Sequence, residues 1–187
     1  MRKSILTVRV PTFTIMNTIV KILLFTILLL GCKGNEIKPS GMEIYLLENP
    51  ENLKRCEDFD VTNQNILSNA LILDSDILSY NWKDHNITLK ESAYDKLKDS
   101  REKNNFIYPI IITLNREKIY GVWYKYSILS MSCKSTLITE NDFGPTNGKM
   151  EYSIVHGQGF GASTLGKDPR GDKRIYDYLK STGRLVE

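Results

Sequence analysis

Residues 106–131, FIYPIIITLNREKIYGVWYKYSILSM, limit the fold more than any other part of the chain. The run Ile110 to Leu114 is apolar apart from Thr113 and mostly β-branched, which suits a strand buried in the middle of a sheet. Asn115 to Glu117 leaves room only for a short connection. The return stretch, Lys118 to Tyr126, places Tyr120, Val122, Tyr124 and Tyr126 on alternate positions, the period of a strand. Gly121 interrupts it and marks a bulge or a close approach of another group. These aromatics read mainly as core and sheet surface. The functional alternative is that Tyr120, Trp123, Tyr124 and Tyr126 form an exposed patch that docks a partner or ligand.

Helical signals flank this hairpin. Thr88 and Glu91 have the spacing of a capping box, and Ala93, Tyr94 and Leu97 then share one face of a helix closed by Asn104-Asn105. Its other face is charged and reads as solvated. Near the C-terminus, Asp168-Pro169 is a helix start with Pro at the first position. Ile175, Tyr178 and Leu179 follow on one face, and Gly183 is the stop. Further strands are expected at residues 42–48, 70–73, 77–82 and 133–139, and a last one at 150–156. Lys83 to Asn86 reads as a turn, because Asp and Asn tolerate turn dihedrals and bond their own backbone. The sum is a single α+β domain over 42–187: a mostly antiparallel sheet with one packed helix and a C-terminal helix.

The N-terminus speaks to location. Lys21 precedes an apolar run from Ile22 to Leu30, a signal-peptide layout too short for a comfortable membrane span of about 20 residues. The run ends in Leu29-Leu30-Gly31-Cys32, which resembles the lipobox of bacterial lipoproteins. That resemblance implies cleavage between Gly31 and Cys32 and lipidation of Cys32. Acyl chains then replace the lost helix as the membrane anchor. Residues 1–15 contain a Pro and look superfluous to the signal, so Met16 is an alternative expected start. Residues 32–41 are the lipidated cysteine and a polar tether. Arg2, Lys3, Arg9 and Lys21 leave with the signal, so 25 − 4 = 21 basic residues face 22 acidic ones, a formal charge of −1. The positive charge of the full chain belongs to the export segment, and no basic excess remains to attract nucleic acid.

Of three cysteines, Cys56 and Cys133 remain after lipidation, in a compartment where disulfides persist. A Cys56–Cys133 bridge and separate buried thiols are both compatible with the sequence. The chain has only two histidines, His85 in the turn and His156 beside Gly157-Gln158-Gly159-Phe160-Gly161. That glycine run lacks the spacing of a dinucleotide fingerprint and the lysine and hydroxyl of a phosphate loop, so it reads as a loop. A His-rich metal site is excluded by count, and no cofactor is expected.

Residues 73–139 resemble the head subdomain of the first periplasmic domain of SecD-type export proteins, on the stretches DSDILSYNWKDHNITLKESAYDKLKD and YPIIITLNREKIYGVWYKYSILSMSCKSTLI. Where that family has an Asp-Gly turn, this chain has Asn115-Arg116. The resemblance implies a sheet with a packed helix, and it does not extend to transport, since the translocase helices have no counterpart. The expected function is therefore a membrane-anchored envelope domain that binds a protein or an envelope ligand without catalysis. The alternatives are a small envelope enzyme using His85 or His156 with an acid such as Asp84 or Asp168, and an inhibitor or immunity lipoprotein.

Overall fold

The computed structural model describes residues 40–104, 106–141, 144–158 and 166–187. They form one eight-stranded sheet with two α-helices, an α+β fold. In chain order the elements are β1 (Met42–Leu46), β2 (Ile77–Asn81), β3 (Asn86–Lys90), α1 (Glu91–Lys103), β4 (Ile107–Leu114), β5 (Glu117–Lys125), β6 (Cys133–Glu140), β7 (Lys149–Gln158), α2 (Lys173–Ser181) and β8 (Leu185–Val186). The spatial order is β1-β4-β5-β6-β7-β3-β2-β8. Neighbours are antiparallel except β5 with β6 and β2 with β8.

The sheet is covered on both faces. On one side Ala93 and Leu97 of α1, and Ile175 and Leu179 of α2, pack on Tyr108, Ile110, Ile112, Val122, Tyr152 and their neighbours. On the other side a long strap, residues 47–71, crosses the sheet. Its Cys56, Leu53 and Phe59 pack with Ile107, Trp123, Cys133 and Leu137. Two covers explain why every residue of β4 but its last is buried: successive side chains point to opposite faces, and both faces are dry.

Local chemistry sets the turns. Asn115 and Arg116 both have positive φ, 50° and 66°, as a two-residue hairpin with the right-handed strand twist demands. Asn115 Oδ1 also accepts from Gly41 N at 3.1 Å, tying the hairpin to the start of β1. Trp82 to His85 turn between β2 and β3, with His85 at φ 54°. Gly121 lies under the Phe59 ring, where a Cβ would collide with it, and the register shift between β4 and β5 falls at Ile119, two residues earlier.

Four sequence expectations shift. Thr88 remains in β3, paired with Glu151, and α1 begins at Glu91 without a side-chain cap. The Glu91 N–H instead donates to Gly148 O at 2.9 Å, which satisfies the donor a cap would have taken. The expected strand at 70–73 shrinks to a bridge between Ile72 and Ile44, because a 3₁₀ turn begins at Asp74 and uses its carboxylate to accept from Met42 N. Residues 65–72 still cap the outer edge of β1, as an edge strand requires. Pro169 opens a 3₁₀ turn rather than α2. The helix starts at Lys173 with Asp172 as its cap, and β8 follows it as the last strand in place of β7.

Candidate functional site

β5 and β6 are parallel neighbours joined by only seven residues, 126–132, where such pairs usually need a crossover of about a dozen or more. The connection must run back along the sheet, and Leu129 and Met131 pack under the strap as it does so. Pairing between the two strands is correspondingly short, Trp123 with Leu137 and Tyr124 with Ile138. Below Trp123 the strands part. A cleft of about 260 Å³ opens there. Its walls are Ile119, Tyr120 and Gly121 of β5, and Thr136 and His156 of β6 and β7. The strap supplies residues 58–61, and the turn before α2 supplies Lys167 and Pro169.

Tyr120 is the unusual member. Its residue is 5% exposed, and its hydroxyl is buried without a hydrogen-bond partner. Burial pushes the phenol well up, so it stays a donor. A buried hydroxyl costs free energy until something pairs with it. His156 is fixed at both ring nitrogens: Nδ1 lies 3.0 Å from Thr136 Oγ1, and Nε2 lies 3.3 Å from Gly166 O, to which it donates. Next to the cleft, Arg170 clamps Asp168 through Nε and Nη2, at 2.9 and 2.6 Å, and donates Nη1 to Ile154 O at 2.8 Å. The guanidinium holds the Asp168 carboxyl down to about 2. Lys167 and Asp58, both in the lining, are exposed and make no side-chain hydrogen bond or ion pair among the described residues.

On β5 the aromatics are core, as their main reading had it, and not the exposed patch of the functional alternative. Tyr120, Trp123 and Tyr124 are 5, 3 and 0% exposed, because helices cover one face of the strand and the strap covers the other. Trp123 Nε1 donates to Glu57 O at 2.9 Å, and Tyr124 Oη donates to Glu140 at 2.5 Å. Tyr126 is half-buried, stacked on Phe106 beneath the Arg101 guanidinium. Only Tyr120 of the four reaches the cleft.

The two histidines are each held by a hydroxyl. His85 Nδ1 pairs with Tyr80 Oη at 2.9 Å, and burial, then the Arg170 charge, pushes its pKa down. Asp84 accepts from Asn81 Nδ2 at 3.1 Å, and Asp168 belongs to Arg170. Among the described residues no His–carboxylate bond forms. No group of three or more His, Cys, Asp or Glu is placed to hold a metal there. Cys56 and Cys133 are joined in a buried disulfide, Cα atoms 4.8 Å apart, which pins the strap to the start of β6. Gly31, Cys32, the tether up to Pro39 and positions 159–165 of the glycine loop lie outside the described residues. No described helix is long and apolar enough to cross a membrane.

Thr136, Lys167, Asp58 and Phe59 were not legible as site residues. They come from three separate segments, and nothing in their local sequence marks them. Compared with protein-family models, curated proteins and solved structures, the chain matches none.

Proposed function

We propose that this chain is a lipid-anchored domain of the bacterial cell envelope that binds a small ligand, without transforming it, in the cleft where β5 and β6 part. The observation that carries the reading is the cleft itself, about 260 Å³ in volume, with the exposed side chains of Asp58 and Lys167 in its lining. His156 and Thr136 in the wall already satisfy each other, which suits holding a ligand more than moving protons. Catalysis by His85 or His156 would need a base oriented by an acid, and both rings are turned to hydroxyls instead. The anchor rests on Leu29-Leu30-Gly31-Cys32. From Cys32 the tether to Gly41 extends at most about 3.5 Å per residue, enough to hold the domain a short distance off a bilayer.

The test is crosslinking in cells from a photoreactive residue at position 167, with position 98 on the exposed face of α1 as control. An adduct formed from 167 and absent from 98 supports the reading. Equal labelling from both positions, or none from 167, overturns it. The Cys32→Ala form should lose membrane attachment.

A further inference from the structure

The turn that leads into β7 holds an unengaged asparagine and also caps a helix. Thr146 and Lys149 bond to each other in both directions, N–H to O at 2.8 and 3.2 Å, and enclose Asn147 and Gly148. Both enclosed residues have positive φ, 51° and 74°, the pair a tight two-residue hairpin demands. The chain holds no other Asn-Gly step. Both residues are exposed, and among the described residues neither the Asn147 amide nor the Gly148 N–H has a hydrogen-bond partner. The side chain is free to bring its Cγ to the Gly148 nitrogen, which no Cβ shields. The Asn115-Arg116 hairpin has the same signs of φ and neither freedom: Asn115 Oδ1 accepts from Gly41 N, and a long side chain follows. On the other side of the Asn147 turn, Gly148 O accepts from Glu91 N at 2.9 Å, in place of a side-chain cap for α1. A Cβ at Gly148 would lie 4.0 Å from Glu91 Oε2, so the turn sits against the first carboxylate of the helix.

We propose that Asn147 is a deamidation site whose isoaspartate product uncaps α1. The Gly148 nitrogen, its proton lost to hydroxide, bonds to Asn147 Cγ. The Cγ–Nδ2 bond breaks, and ammonia leaves with a proton from water. Water then opens the cyclic succinimide. Opening at Cγ gives aspartate on an unchanged backbone. Opening at the Asn147 carbonyl carbon gives isoaspartate: the chain now runs through Cβ and Cγ and is one methylene longer. Both products place a new negative charge beside Glu91. Only isoaspartate also lengthens the path from Thr146 to Gly148. A two-residue loop closed by the Thr146–Lys149 bonds has no slack for that methylene, so Gly148 O is carried away from Glu91 N.

The purified full chain, in detergent, is incubated at pH 6 and pH 9 and digested, and its peptides are separated and weighed. The Asn147 peptide should convert ahead of every other asparagine peptide. It should convert faster at pH 9, where hydroxide removes the Gly148 proton, and should give separate aspartate and isoaspartate forms. Asn147→Gly tolerates the positive φ and should show no conversion at this turn. Amide exchange is then compared in the first turn of α1, residues 91–94, with the intact isoaspartate form resolved by chromatography. Exchange there should be about two- to tenfold faster than in the parent, the worth of one lost cap bond. Asn147→Asp, which carries the charge on the parent backbone, should exchange like the parent. Conversion at Asn147 no faster than at Asn115 overturns the site. First-turn exchange unchanged in the isoaspartate form, or raised as much by Asn147→Asp, overturns the uncapping.

Discussion

Removing the Cys56–Cys133 bridge should loosen the strap first and cost the domain a large part of its stability. The bridge spans 77 residues, and the closed loop contains β2, β3, α1, β4 and β5. The chain-entropy estimate for a loop of that length is about 4.5 kcal/mol at 25 °C, at the upper end of the roughly 2–5 kcal/mol measured when native bridges are removed. Set against a usual total of about 5–15 kcal/mol, a loss of 3 or 4 is severe without abolishing folding. The loss has a definite place. Apart from the bridge, the middle of the strap is held by Trp123 Nε1 on Glu57 O, by Lys118 Nζ on Thr62 O and Gln64 O, and by Phe59 over Gly121. In the Cys56→Ala/Cys133→Ala protein, guanidinium unfolding followed by tryptophan fluorescence should show a lower midpoint. Amide exchange in residues 53–64 should accelerate far more than in β3 and β7, whose pairing lies at the other half of the sheet. A double variant within about 0.5 kcal/mol of the parent, with unchanged exchange in the strap, would refute the argument: the strap would then be held by its own contacts.

Three other perturbations probe different parts of the fold. Arg101 and Glu140 form a buried ion pair at 3.1 Å, side chains 8 and 1% exposed, so Arg101→Met should destabilise by about 3–5 kcal/mol in urea unfolding. Arg101→Met with Glu140→Leu should recover part of that, because no charge is then left alone. Gly121→Ala should cost about 1–3 kcal/mol through overlap with the Phe59 ring, and Phe59→Leu in the same chain should relieve it. Asp168 titrates at about 2 when folded against 3.8 unpaired, so its contribution is present above about pH 4 and disappears as pH falls through 2. The unscreened value is about 2.4 kcal/mol. With the carboxylate 41% exposed, about 1 is expected. Denaturation of parent and Asp168→Ala should therefore differ at pH 6 and converge below pH 2.

The elements that declared themselves in the sequence are those whose pattern is local. Ile110 to Leu114 is a continuous apolar run, and it is a strand buried between two neighbours. Gly183, at φ 68°, ends α2 where a left-handed residue was expected, its N–H on Lys180 O. The Lys83–Asn86 turn is likewise written in its own residues. What failed was any inference that needed to know what covers a face. Alternating aromatics on β5 are compatible with a wet face or with a dry one, and periodicity cannot separate them. The deciding element is the strap, residues 47–71, whose polar middle, residues 50–65, shows no strand pattern and still buries Cys56 and half-buries Leu53 and Phe59 against the sheet.

That same strap explains why the cleft was invisible. It exists because a seven-residue connection between parallel strands keeps β5 and β6 together for only two paired positions. The space left between them is then bounded by whatever the strap and the turn before α2 bring in. Asp58, Tyr120, Thr136 and Lys167 stand far apart in sequence and meet only because of this parting. A strand order of β5 next to β7, with β6 at an edge, would have used the same local signals and left no cleft. The site is thus a property of topology. Its one trace in the sequence was Gly121, read as a bulge or a close approach, and the structure shows the close approach: the Phe59 ring lies against it, while Gly121 itself pairs in register with Ile111.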